Sequence, residues 1–446
     1  MNYIQEYQSK LVSADEAVKM VKSGDWVDYS FCLAQPISLD KALAARRDEL
    51  TDVKIRGGLF FSPIAAVECD PTKEHFTYMS WHLSGYERKL ADRGLCYYIP
   101  MLYRSMPQFY RKSLDVDVAM ICVTPMDKNG YFHFSLNNSA SRAIVEKAKK
   151  VILEINTRLP IVGGHETSVH ISEVDLIVEG ENPPLPVLGN AAATETDRKI
   201  AELIMPQLCD GATIQLGIGG LPNTIGEMIA ASDLKNLGVH TEMLVDAYMV
   251  MAEAGKITNF RKRTDPGKSL FTFCAGSAAL YDWVADNYNV ISGPVDYVNS
   301  PTVMARNDNF MSINSCVELD LTGQFNSETA GMRQISGTGG QVDFLTGAYL
   351  SNGGRAFICC NSTFKDKKTG QLRSRILPFF DPGTVVTAPR SQSHCLVTEW
   401  GLVDLAGRSL WERAEGIIGV AHPDFRDELI AAAEKRGVWR RSNKIA

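Results

Sequence analysis

The residues best suited to chemistry in this chain are a glycine turn, a second glycine cluster and a glutamate between them. The turn is Gly217-Ile218-Gly219-Gly220-Leu221-Pro222-Asn223. It follows an apolar stretch, Ala212 to Leu216, and precedes a helix-like stretch, Thr224 to Ala231. Strand, glycine turn and helix in that order bring backbone N–H groups to the carboxyl edge of an α/β sheet. With no Cβ in the way and an electropositive helix terminus behind it, such a turn can hold a phosphate or an oxyanion. The second cluster, Gly337-Thr338-Gly339-Gly340-Gln341, implies a site for an extended anionic ligand when paired with the first. Glu242 stands after His240-Thr241 and before the apolar Met243-Leu244-Val245, so it can lie near a strand end at the sheet edge. By residue type alone it reads equally as a solvated or capping carboxylate, and His240 reads as a structural hydrogen bonder.

Other motifs are excluded by spacing. Gly217-x-Gly219 begins like a dinucleotide fingerprint, but Pro222 stands where the third glycine belongs. Gly267-Lys268-Ser269 matches only the end of a nucleotide-binding P-loop, because Lys262 replaces its leading glycine. His165 and His170 have one residue too many between them for a zinc-binding helix and read as loop or core residues. No G-x-S-x-G nucleophile elbow occurs. The ten cysteines include no C-x-x-C pair. They imply reduced thiols, no disulfide framework and no metal site, and Cys359-Cys360 reads as core positions of a strand.

The elements that must position these residues alternate. Ala14 to Lys22 has the pattern of an amphipathic helix, with Ser13 as N-cap and Glu16 completing a capping box. Strands are expected at Trp26 to Tyr29, Val53 to Ile55, Val118 to Val123 and Lys150 to Glu154, with a helix over Ser139 to Lys149. In the second half a helix over Ala192 to Leu208, with Thr194 as cap, leads into the strand Ala212 to Leu216. Gly24 to Pro36 and Gly211 to Pro222 share this order, a weak internal repeat. The expected architecture is α/β, with two related open domains and mostly parallel sheets. The Pro-rich segment Glu181 to Pro186 is the linker, which divides the chain into domains 1–190 and 191–446 near residues 185–193. A last helix runs from Asp427 to Arg436, followed by a solvated basic tail, Trp439-Arg440-Arg441.

Bulk properties agree with a cytoplasmic enzyme. The 446 residues suit two or three domains. They are 45% apolar and 22% charged, with a net charge of −6, which argues against a nucleic-acid partner. No apolar run is long enough to span a membrane, and the first residues lack a secretion signal.

Taken together, the strings QLGIGGLPN (215–223), GVHTEM (238–243), SINSCVELDLTGQ (312–324), ISGTGGQVDF (335–344), NSTFK (361–365) and AHPDFR (421–426) resemble the acetyl-CoA hydrolase/transferase family of class I coenzyme A transferases. SADEAVK (13–19), SGDWVDY (23–29), SWHLSGYERK (80–89) and VEGENPP (178–184) fit its butyryl-CoA:acetate subgroup, with the 4-hydroxybutyrate subgroup next. The resemblance spans essentially the whole chain. It implies a nucleophilic glutamate at Glu242, a CoA-binding loop at Gly217, Gly219, Gly220, Leu221, Pro222 and Asn223, and an oxyanion and CoA contact at Gly339-Gly340. It further implies CoA contacts at Asn314 and Lys365, an active site at the interface of the two domains, and a homodimer or homotetramer. Gln215 is a candidate for the acyl pocket, with a sheet-edge hydrogen bond as the alternative. The implied reaction moves CoA from a short-chain acyl-CoA, butyryl-CoA first, to acetate through a glutamyl-CoA thioester. CoA is then a substrate, and no cofactor or metal is needed. A thioesterase on the same site and a non-catalytic CoA-binding sensor are the competing functions. The departure from the family pattern is Cys359-Cys360-Asn361 before Ser362, which touches no catalytic position.

Overall fold

The computed structural model describes residues 3–189, 192–285 and 287–440. By packing, the chain forms two compact units. One comprises Met1–Gly189, Glu242–Val245 and Ser269–Asn299, and the other comprises Asn190–Thr241, Asp246–Lys268 and Ser300–Ala446. One boundary between the units falls between Gly189 and Asn190, where the sequence predicts a single cut near residues 185–193. Two later segments differ from that single cut. Glu242, expected within 191–446, falls in the first unit.

The first unit is built on a seven-stranded sheet: β1 (Trp26–Asp28), β2 (Val53–Gly57), β3 (Phe76–Ser80), β4 (Tyr97–Tyr98), β5 (Val118–Val123), β6 (Lys150–Ile155) and β7 (Leu176–Glu179). The order is β4-β3-β2-β1-β5-β6-β7, and every pairing is parallel. The six residues of β5 are all buried, as expected of a strand covered on both faces. Helix α1 (Ile37–Ala45) opens without a side-chain cap of its own. Glu154 of β6 supplies one instead, accepting from Ser38 N and Leu39 N at 3.0 Å. Burial raises this carboxyl above the usual range despite those bonds.

The second unit repeats the plan. Helix α2 (Glu195–Ile204) leads to β8 (Thr213–Leu216), helix α3 (Gly220–Ala231), β9 (Gly238–Val239) and helix α4 (Asp246–Glu253). Then come β10 (Phe310–Ser315), helix α5 (Gln341–Leu350), β11 (Arg355–Cys359), β12 (Cys395–Thr398) and β13 (Gly401–Asp404). The order is β9-β8-β10-β11-β12-β13, parallel except for the last, antiparallel pair. In each sheet the first strand, β1 or β8, lies between two strands that come later in the chain. That is the structural counterpart of the repeat at Gly24 and Gly211. Cys359 and Cys360 are buried, and all ten cysteines are free thiols.

Several boundaries differ from expectation for local reasons. The helix expected over Ala14 to Lys22 is α-helical only over Ala14–Ala17 and tightens to 3₁₀ over Val18–Met20. Ser13 caps it through Glu16 N at 3.2 Å, but Glu16 turns to Lys19 rather than completing the box. The helix expected over Ala192 to Leu208 begins at Glu195, behind a full Thr194–Asp197 capping box. It passes into a 3₁₀ turn at Met205-Pro206, where proline removes a donor. The helix expected over Ser139 to Lys149 spans Ser141–Lys147. Conversely, α3 starts four residues before Thr224. Pro222 sits in its first turn, where no intrahelical donor is required. The last helix, Arg426–Arg436, ends on Gly437 in the left-handed region (φ 74). Asn190 and Ala191 of the boundary region and Arg441 of the basic tail lie outside the described residues. Among the described residues no helix is long and apolar enough to cross a membrane.

One buried group ties the second unit to pH. His394, 7% exposed, stacks on Tyr349 with ring centroids 4.0 Å apart. Burial lowers its pKa from 6.5 to about 4. The folded state therefore resists a proton that the unfolded chain accepts. The contribution is full above pH 6.5 and is lost as pH falls toward about 4. His394→Phe keeps the stacked ring without the titration. Its denaturation midpoint should change less between pH 7 and pH 5 than the wild type's, by on the order of 1–2 kcal/mol. An equal change in both proteins would place the acid sensitivity elsewhere.

Candidate active site

The candidate site residues fall into two groups, one in each unit. In the second unit β8 ends at Leu216, and Gly217 N donates to Ile313 O at 3.0 Å. Gly219 then turns with φ 114, in the left-handed region that favours glycine, and serves as N-cap of α3. No side chain caps this helix. The first-turn amides of a helix have no intrahelical acceptor, so this terminus favours an anion. Ile218, Gly220, Leu221 and Pro222 line a cleft of about 330 Å³. Ser315, Cys316 and Val317 line it after β10, and Cys359 and Asn361 line it after β11. Arg375, and Asp197 from α2, complete the lining. The cleft lies at the carboxyl edge of the sheet. There β8 has β9 on one side and β10 on the other, the switch point at which open α/β sheets bind ligands.

Beside the loop, three polar side chains lock one another. β8 and β10 pair with Gln215 opposite Ser312. Gln215 Oε1 accepts from Ser312 Oγ at 2.8 Å and from Asn314 Nδ2 at 2.9 Å, while Gln215 Nε2 donates to Asn314 Oδ1 at 3.2 Å. Of the two readings of Gln215, the sheet hydrogen bond is the one seen. Asn314 also backs the glycine loop, since a Cβ built on Gly217 would lie 3.7 Å from its Oδ1.

The remaining loop residues are more dispersed. Asn223 lines a separate cavity with Thr224, Glu227 and Asp246. Gly339, with φ 56, and Gly340 form the turn that opens α5, with Gly340 as N-cap. Lys365 is exposed on a two-stranded hairpin, Thr363–Lys365 with Leu372–Ser374. None of these four lines the 330 Å³ cleft. His240 is fully buried, with its ring edge-on to Phe310 and Phe344, in keeping with a structural role.

Glu242 belongs to the first unit. Its backbone carbonyl accepts from Thr272 N at 3.0 Å and Phe273 N at 3.2 Å, where Met243–Leu244 pairs in parallel with Phe273–Cys274. Its side chain is half-buried, and Oε2 accepts from Asn299 Nδ2 at 2.6 Å. Asn299 is itself fully buried, so this donor holds the carboxylate in one orientation. Tyr103 bonds Ser139 Oγ at 2.6 Å. Burial first, and then the Glu242 charge, push its phenol far above the ordinary range. Phe31, Tyr103 and Phe273 pack against one another with centroids 5.2–6.2 Å apart. The result is an oriented carboxylate near buried aromatic rings, a group able to attack an electrophilic carbonyl.

Sequence reading missed Asn299, Tyr103 and Arg375. Asn299 and Tyr103 lie far from Glu242 in the chain, and neither sits in a motif. Arg375 follows the hairpin that carries Lys365. Its sequence setting, Arg373-Ser374-Arg375-Ile376, matches no motif.

Comparison with known proteins now gives the geometry its class. Residues 1–189 match the acetyl-CoA hydrolase/transferase N-terminal domain, and residues 276–433 match the C-terminal domain of the same family. The chain is 52% identical to a butyryl-CoA:acetate CoA-transferase of Anaerostipes caccae, over all of both chains. It is 38% identical to a 4-hydroxybutyrate coenzyme A transferase of Clostridium kluyveri, over 98% of this chain and all of the other. Among solved structures, RipA from Yersinia pestis superposes with a TM-score of 0.88 at 37% identity, covering 98% of this chain and 100% of that one. The chain belongs to the acetyl-CoA hydrolase/transferase family.

The Gln215 network carries its own test. Gln215→Leu removes the acceptor shared by buried Ser312 and half-buried Asn314, leaving them only their mutual bond, Asn314 Nδ2 to Ser312 Oγ at 2.9 Å. The variant should lose about 1–3 kcal/mol of stability in denaturant unfolding. An unchanged midpoint would show that the network is dispensable.

Proposed function

We propose that this protein is an acyl-CoA:acetate CoA-transferase, with butyryl-CoA as the foremost donor and Glu242 as its nucleophile. The observation that carries the reading is the Glu242 carboxylate held at 2.6 Å by the buried Asn299 amide. The 52% identity to a butyryl-CoA:acetate CoA-transferase supports the choice of substrates.

The steps follow from the chemistry of a carboxylate meeting a thioester. An oxygen of Glu242 attacks the acyl carbonyl, the C–S bond breaks, and an acyl-glutamyl anhydride and CoA thiolate result. The thiolate attacks the glutamyl carbonyl of the anhydride, expelling the free acid and leaving a glutamyl-CoA thioester. Acetate attacks that thioester and releases the thiolate again. The thiolate then takes the acetyl group, giving acetyl-CoA and restoring the carboxylate. Each step exchanges one activated acyl bond for another, so no external energy source is consumed. An amide N–H on Glu242 orients the attacking group and can donate to the oxyanion when the glutamyl carbonyl becomes tetrahedral. The buried rings of Phe31, Tyr103 and Phe273 pack near the carboxylate and keep its surroundings apolar. The uncapped α3 terminus and its glycine loop suit the anionic end of CoA. Binding energy from that remote end can be used at the reacting centre.

Two measurements test the proposal. The wild type should show ping-pong kinetics across a panel of butyryl-, 4-hydroxybutyryl- and propionyl-CoA, with CoA exchange dependent on acetate. After acyl-CoA addition it should be inactivated by hydroxylamine or borohydride. Glu242→Gln should form no adduct and lose activity by at least about 10³-fold. Full turnover in this variant would sink the mechanism, and acetate-independent release of free CoA would mark a hydrolase instead. Separately, Asn299→Ala should lower kcat by about 10²-fold, the usual cost of one such donor, with a smaller change in KM for the acyl-CoA. A change confined to KM would mean that Asn299 serves binding alone.

A further inference from the structure

Arg375 has a setting unusual for a structural arginine. It lines the cleft below the α3 terminus together with Gly220 and Leu221. Its guanidinium spends a single donor, Nη1 to Val317 O at 2.7 Å. Nε is buried without a hydrogen-bond partner. Among the described residues no carboxylate pairs with it. The group lies over the Phe364 ring, 4.9 Å from its centroid, which holds the plane in place. The backbone is fixed as well, since Arg375 N donates to Ser362 O at 2.8 Å and Leu319 N donates to Arg375 O at 3.0 Å. A half-buried guanidinium kept from its own counter-charge costs desolvation without return, unless a ligand supplies the anion.

The rest of the cleft fits that role. The α3 terminus offers partial positive charge and amides that no side chain caps. The one carboxylate among the lining residues, Asp197, is turned to its own helix: Oδ2 accepts from Thr194 N at 2.9 Å and from Thr194 Oγ1 at 2.7 Å. At about 330 Å³ the cleft is far larger than an acetate ion. A phosphate, with several anionic oxygens, can take the planar fork of Arg375 and the helix amides at once.

We infer that Arg375 is a binding residue for a phosphate of CoA, received in the cleft between the Gly217–Pro222 loop and the carboxyl ends of β10 and β11. The inference rests on the proposal that CoA is the ligand, and it adds a contact outside the motifs that carry the family resemblance. It does not depend on Glu242 chemistry.

Calorimetric binding tests it apart from turnover, with CoA, 3′-dephospho-CoA and pantetheine as probes against wild type, Arg375→Gln and Arg375→Lys. Arg375→Gln should weaken CoA by about tenfold or more, as for a lost charge-assisted pair, and leave pantetheine unchanged. Arg375→Lys, which keeps the charge and loses the fork, should fall between. If 3′-dephospho-CoA is weakened as much as CoA, the contact is to the diphosphate. If its binding is indifferent to the substitution, the contact is to the 3′-phosphate. Unchanged CoA affinity in a variant that melts like the wild type would overturn the inference. So would an equal loss for pantetheine, or a rise confined to the KM for acetate, which would make Arg375 a site for the acceptor carboxylate. A wild type that binds CoA but transfers none would defeat the transferase reading and leave the Arg375 result standing.

Discussion

A parallel strand cannot be followed directly by its neighbour, because the chain must return to the same end of the sheet before it pairs again. Most of what this protein can do follows from that constraint. Every crossover places its loop at a sheet edge, and where successive crossovers leave one strand in opposite directions, the loops part and leave a crevice. β8 is such a strand, with β9 on one side and β10 on the other. The crevice exists before any side chain is chosen. Gly219 makes the turn beside it at φ 114, a conformation that favours glycine, and the α3 terminus gives it a sign.

Much of this plan was legible in the sequence. The alternation of short apolar strands with helices and the glycine turn behind Leu216 each depend on a few consecutive residues, and local rules read them well. The parallel sheets follow, because alternating elements have few other ways to pack. Residue-level boundaries were less legible where proline or a side chain chose between near-equal alternatives. Pro222 is admitted to a first turn, whereas Pro206 ends a helix. Glu16 prefers Lys19 to its own cap.

The site was legible only in part, for a different reason. Its loops are contiguous motifs, but its geometry is made of distant pairs. Asn299 meets Glu242 from 57 residues away, and Gln215 meets Asn314 from 99. No spacing rule spans such separations. Glu242 had no local distinction from other acids and stood out only through its family motif. The same limit hid Arg375. That no carboxylate among the described residues pairs with it is a property of the folded neighbourhood, whereas composition shows only another cation.

The division of the chain has a consequence for synthesis. Glu242–Val245 packs in the first unit, while the residues on both sides of it pack in the second. The first unit also needs Ser269–Asn299. Chains emerge from the ribosome amino end first, and domains generally fold as units as they do so. Here a nascent chain of 189 residues carries the whole seven-stranded sheet and neither Glu242 nor the Asn299 amide that holds its carboxylate. The early sheet must wait, stable enough to persist and incomplete, until residue 299 arrives. The order of translation thus keeps Glu242 and its Asn299 partner apart from the first sheet until most of the protein has been made.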